Sequence, residues 1–248
     1  METFESKYFS GQGAVYVAPR DVNGKPQGLM FIGDASAVDM TPNIDTKEKL
    51  ENVSGARGVA ASWISRSDFG LAITMDSIKA EHLAIALHGV VTVKAAGSVT
   101  DEAHTAYLDK FTPLENNNVS TVVVTGAGGT PTYVEATDYI VHAEAGLIEF
   151  ISGGTITDAT PVLIDYDFGA QKHIKIEPNN DELYMVFAGI NTADNNKQTR
   201  CELYKVKLTP GALSMISDDS SPIPITGKVI LDSLRPAGDQ FYSWKTQD

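Results

Sequence analysis

The sequence predicts a mainly β protein with one short α-helix and a small β unit inserted into a larger one. Three observations lead there. Short runs of alternating apolar and polar residues recur along most of the 248-residue chain. Turn signals rich in Gly, Asn and Asp separate these runs. One stretch, 77–88, carries helical spacing with both a start and a stop signal.

Taken in order, residues 13–18 alternate as a strand, and Asn23-Gly24 marks the turn after them. A second strand follows at 29–32, within an extended stretch 28–34, and another at 35–40. Between residues 41 and 58 the chain turns polar, with Ile44, Leu50 and Val53 as its only sizeable apolar residues. Compact domains join strands with a few residues, so a connection this long reads as a functional loop. With little of its own to bury, it reads as an arm that orders against a neighbouring subunit. Strand pattern resumes at 59–66 and is cleanest at 68–75, where Phe69, Leu71, Ile73 and Met75 share one face.

The helix is expected over Ser77–His88, capped by Asp76 or Ser77 and ended by Gly89. A strand at 90–95 follows. Residues 100–170 form the inserted β unit, with strands at 119–125, 138–143, 146–152 and 161–168 joined by Gly-rich turns. The larger β domain therefore comprises 1–99 and 171–248. Its second part holds strands at 172–176, 183–190, 199–208 and 226–231, and an acidic turn at 177–182. The 183–190 strand is apolar on both faces and should be covered on both sides. In 199–208 the parity switches after Leu203, which predicts a bulge there. Phe241, Tyr242 and Trp244 close the chain as aromatics in need of a docking surface.

Composition narrows the function. A formal net charge of −13 opposes adhesion to nucleic acid, which needs a basic footprint. The same charge suits a wall past which DNA slides. The single cysteine, Cys201, allows no intrachain disulfide and fits synthesis in a reducing cytoplasm. The first eight residues have no apolar signal-peptide core. No apolar run approaches the roughly 18 residues of a membrane span, so no membrane insertion is expected.

Catalytic chemistry finds no constellation. His82, His88, His104, His142 and His173 form no metal-binding spacing. Gly126-Ala127-Gly128-Gly129-Thr130 lacks the Lys-Ser/Thr ending of a phosphate loop and reads as a hairpin connection. Asp165 and Asp167 share a strand face, as a carboxylate pair or a calcium site would need, but an exposed acidic face is the simpler expectation. Asp218-Asp219-Ser220-Ser221 reads as a solvated turn and Cys201 as a core thiol. No enzyme, cofactor or metal is expected.

The stretch Gly11-Gln12-Gly13-Ala14-Val15-Tyr16-Val17-Ala18-Pro19-Arg20-Asp21-Val22-Asn23-Gly24-Lys25-Pro26 resembles the opening of major tail tube proteins of long-tailed, non-contractile bacteriophages. Gly33-Asp34, the polar Thr/Glu/Lys run, Ser54-Gly55-Ala56-Arg57 and the strand ending at Met75 with a helix behind it continue the likeness over residues 10–90. Asp138-Tyr139-Ile140-Val141 through Gly146-Leu147-Ile148-Glu149-Phe150 is similar to β modules of phage structural proteins. The resemblance implies a β-sandwich or half-barrel subunit that forms stacked, hexameric rings. DNA would cross the lumen without specific binding during ejection. It implies a virion protein made in the host cytoplasm, with itself, tail terminator, tape measure and distal tail proteins as partners. Inter-ring contacts then fall on Asp45, Lys47, Glu48, Lys49, Glu51 and Arg57, and a terminal contact on Phe241, Tyr242 and Trp244. The inserted unit would face outward. Two other classes compete: a β-sandwich adhesion or carbohydrate-binding module of a virion, and the tube subunit of a contractile injection system.

Overall fold

The computed structural model describes residues 8–77, 79–87, 89–176, 182–218 and 222–247. The fold is mainly β, with one short helix among the described residues and several antiparallel sheets. The chain divides into two compact units. The first comprises residues 1–90 and 174–248, the second 91–173. The insertion thus begins nine residues before the expected position 100 and ends three after 170. Two strands missed at sequence level, within 97–113, account for the earlier start.

The first unit opens with β1 (Gly11–Pro19), the short β2 (Met30–Phe31), β3 (Ala35–Leu50) and β4 (Val59–Met75). Helix α1 (Ala80–Leu87) and β5 (Gly89–Lys94) follow. In the second unit come β6 (Gly97–Ala106), β7 (Phe111–Pro113), β8 (Val119–Gly126), β9 (Tyr139–His142), β10 (Leu147–Phe150) and β11 (Thr160–Phe168). The chain returns through β12 (Gln171–Ile176), paired with β5, to β13 (Leu183–Asn191), β14 (Lys197–Thr209), β15 (Ile223–Val229) and β16 (Tyr242–Thr246).

The large sheet of the first unit has the order β2-β1-β13-β14-β15-β4-β3, with β16 beside β14. Its two ends are joined by the chain itself. β2 pairs β1, and three residues later the same segment starts β3 against β4. Gly33 makes that corner at a φ of +93°, and a Cβ there would lie 2.8 Å from the His82 ring. The sheet consequently curls around one core, built from Val15, Val17, Leu71, Ile73, Met75, Met185, Leu203, Val206, Ile223 and Ile225. Helix α1 lays Ala86 against this core, and the Ala86 carbonyl accepts the Gly211 amide at 3.1 Å. The helix is shorter than expected. Ile78 and His88 of the expected span lie outside the described residues, as do Met1–Lys7, most of the acidic turn 177–182 and residues 219–221.

β13 is covered on both faces, as its composition requires. Met185 joins the main core, while Tyr184 and Val186 pack with Tyr204 in a separate cluster on the other face. The bulge in β14 falls where the parity switches. Met185 pairs Leu203, but Leu183 pairs Val206. One extra residue on β14 puts both Leu203 and Val206 into the core.

The second unit holds two three-stranded sheets, β7-β10-β9 and β6-β11-β8, around Val124, Tyr139, Ile148, Phe150, Val162, Ile164 and Tyr166. Inside it Tyr166 donates to Glu102, Asn116 donates to the Tyr166 oxygen at 3.0 Å, and His104 sits 2.7 Å from Glu102. Burial and the neighbouring Glu102 carboxylate push the Tyr166 phenol up to about 12.

Candidate assembly surface

The polar stretch 41–58 is not a loop. β3 continues as strand to Leu50, β4 begins at Val59, and only 51–58 turns the chain. The two strands pair from Ala35↔Met75 out to Leu50↔Val59, with bulges between Asp45/Thr46 and Lys49/Leu50. Pro42 is tolerated because β3 is an edge strand and needs no amide donor on its open side. Beyond Asn43 and Asp68 no other strand accompanies the pair, since β15 ends against Phe69. The segment 44–67 is therefore a two-stranded arm, exposed at every residue but the half-buried Glu51 and roughly 20 Å long at about 3.3 Å per residue.

Register assigns its faces. Val38 and Met40 sit opposite Ile73 and Leu71 on the core side. The same parity continues outward through Ile44, Thr46, Glu48 and Leu50 on β3, opposite Ser67, Ile64, Ser62 and Val59. The core-facing stripe thus runs past the end of the core and emerges as Ile44, Ile64, Leu50 and Val59, each 47–61% exposed. The opposite face carries the pairs Asp45↔Arg66, Lys47↔Trp63 and Lys49↔Ala61.

Of the expected contact residues, Asp45, Lys47 and Lys49 lie on this charged face and Glu48 on the apolar one. Glu51 and Arg57 sit in the turn. The Glu51 carboxylate accepts from the Val53 and Ser54 amides and the Ser54 hydroxyl. The Ser54 hydroxyl, then its amide, holds the Glu51 carboxyl below its ordinary range. Arg57 takes a φ of +49° beside Gly55 at +76°. Val53 at the tip is 97% exposed. Sequence reasoning left out Trp63, Ile64, Val59 and Arg66. Their signal was present, because 59–66 reads as strand, but its partner strand was taken for loop.

At the base of the arm Asp68 collects Asn43 Nδ2 at 3.0 Å and Arg66 Nε and Nη2 at 3.0 and 2.8 Å, with Lys228 Nζ at 3.7 Å. The Asn43 hydrogen bond and then the Arg66 guanidinium lower its carboxyl below the ordinary value. Arg66 also reaches Asp45 at 3.7 Å. One carboxylate thus fixes both strands where they leave the core.

The terminal aromatics find much of their docking surface within their own chain. Tyr242 and Trp244 lie on β16, paired to Leu203 and Cys201 of β14. Phe241 and Tyr242 both meet Phe69 edge-on at 5.3 Å, and Trp244 meets Phe9 at 5.5 Å.

Elsewhere, Cys201 is buried, and burial followed by Glu202 pushes its thiol up to about 11, where the nucleophilic thiolate is scarce near neutral pH. Asp165 accepts the Asp101 amide and Asp167 the Ser98 hydroxyl, so both carboxylates hold the β6 edge. The Gly126–Thr130 segment closes a hairpin, with Gly126 N donating to Pro131 O at 2.9 Å. Among the described residues no group of three His, Cys, Asp or Glu side chains is placed to hold a metal. No helix among the described residues is long and apolar enough to cross a membrane.

Comparison with curated proteins finds no match. Residues 8–245 match the model of one family, and the chain belongs to that family, described as protein of unknown function UCP028589.

Proposed function

We propose that the protein is a structural subunit that polymerises as stacked, hexameric rings into a phage tail tube through which DNA passes without specific binding. The observation that carries this proposal is the arm. An isolated two-stranded hairpin is marginally stable in water. This one exposes Ile44, Leu50, Val53, Val59, Trp63 and Ile64 while staying paired, through two bulges, out to Leu50↔Val59. Such a ribbon gains its order from a partner surface. A head-to-tail contact between identical chains is heterologous and generates rings or filaments.

Two further features agree with it. β3 is a 16-residue edge strand, and ring closure would cover edges of this kind. Asp45, Lys47, Glu48 and Lys49 alternate in sign along the arm, which suits contacts that set register more than affinity. The likeness of residues 10–90 to tail tube proteins names the assembly. Tail terminator, tape measure and distal tail proteins are its partners, and the virion tail is its place.

Negative-stain electron microscopy with light scattering on the purified protein tests the proposal. Hollow tubes or six-membered rings are expected. A protein that remains monomeric at the highest concentration reached, with and without added distal tail protein, overturns it.

A further inference from the structure

The second unit carries an open cleft of about 580 Å³, outside the arm on which the proposed assembly rests. It lies where the chain leaves β6 for β7, each the edge strand of its own sheet. His104, Thr105, Tyr107 and Phe111 line it. Tyr107 is 47% and Phe111 57% exposed. Single exposed aromatics are ordinary, but two in one concavity mark a contact surface.

Both rings are held in place. His142 meets Phe111 edge-on at 5.2 Å and is itself 3.3 Å from Glu149. The Lys110 ammonium stands 5.6 Å from the Tyr107 ring centre. The connecting backbone is pinned as well. Leu108 N donates to Asp158 at 3.0 Å, Asp109 N to Phe150 O at 2.7 Å, and the Asp109 carboxylate accepts Ser152 N at 3.0 Å. Preorganised aromatics lose little entropy on binding. Beside them in the lining stand two groups that can hydrogen-bond, Thr105 and His104, the latter 2.7 Å from Glu102.

A ligand for this cleft must present a flat apolar face and a rim of hydroxyls. A pyranose does both. The net charge of −13 disfavours polyanions. An added peptide strand fits poorly, because β7 has three residues and ends in Pro113, and β6 bulges around Asp101, which takes a φ of +57°. We propose that the cleft binds a neutral oligosaccharide, with Tyr107 and Phe111 as stacking platforms and His104 and Thr105 as hydroxyl partners.

The full-length protein is titrated calorimetrically with cellohexaose, chitohexaose and maltohexaose. At least one is expected to bind. Tyr107→Ala and Phe111→Leu should each weaken that binding about tenfold or more, whereas Tyr107→Phe and Val134→Ala, the latter outside the cleft, should leave it unchanged. Melting curves that overlay the wild type show that the variants fold. Absence of binding to all three sugars overturns the proposal, and so does binding that survives both cleft variants. Tube formation does not enter the readout, so a chain that fails to assemble still tests the cleft.

Discussion

The inner and outer halves of the β3–β4 hairpin are the same two paired strands, shifted by two bulges in the outer half, with opposite surroundings. Inside, Val38 and Met40 pack with Leu71, Ile73 and Met75 against β15 and the core. Outside, Ile44, Leu50, Val59 and Ile64 hold the same parity but are about half exposed, with no third strand beside them among the described residues. Alternation alone does not mark a strand as folded into its own domain. An apolar stripe that outruns its core is the feature on which the proposed assembly contact rests.

The largest effect should come from the inner half. Ile73→Ala is expected to cost about 2–5 kcal/mol, read by urea unfolding, because it leaves a cavity in a packed core. Ile64→Ala, on the same face but further out along the hairpin, should stay within about 0.5 kcal/mol of wild type. An equal loss from both would erase the distinction.

Next comes assembly. Replacing Asp45–Arg66 with Asn-Gly shortens the hairpin to a tight turn beyond Ile44↔Ser67. The melting midpoint should hold while tubes disappear from light scattering and micrographs. Tubes of normal length from this variant would show that the arm is not the assembly surface.

A smaller signal sharpens the same contrast. With Trp244→Phe, Trp63 is the sole tryptophan and sits half-exposed on the arm. Its emission should move to shorter wavelength as tubes form, since docking removes water from the indole. An unchanged spectrum in assembled material would place the arm in solvent.

The smallest effect lies at the boundary of the two halves. The lowered carboxyl of Asp68 means that its contribution to stability is complete above the ordinary Asp value of 3.8 and fades as the pH falls through the lowered one. Asp68→Asn should remove that component of an acid titration and leave the rest of the curve in place. Amide exchange at Asn43 and Ser67 is the local reporter. Acid sensitivity there that persists in the variant would assign the base of the arm to another group.

Much of this architecture is legible from residues alone. The β class, the single helix, the two-faced cover of β13, the bulge after Leu203 and the existence of an inserted unit follow from parity, turn residues and apolar runs. The arm was half legible. Residues 59–66 read as a strand, but 41–50 read as loop, because charges occupy both of its faces and Pro42 interrupts the amide pattern. What makes it a strand is pairing to Trp63, Ile64 and Arg66 across the hairpin, together with Asp68 at its base. The terminal aromatics were legible as groups seeking a surface. That Phe69 and Phe9 supply it involves contacts more than 170 residues apart in one case and more than 230 in the other.

Residue order alone carries the periodicity and the turn signals, which reside in neighbouring residues, and the net charge, which is a sum over the chain. Which apolar residues are left uncovered depends on how the strands are brought together. Burial is a property of what lies opposite a side chain, and opposition is set by register and sheet order. Ile64 and Ile73 look alike in the chain; the end of β15 at Phe69 is what puts one in the core and the other in water.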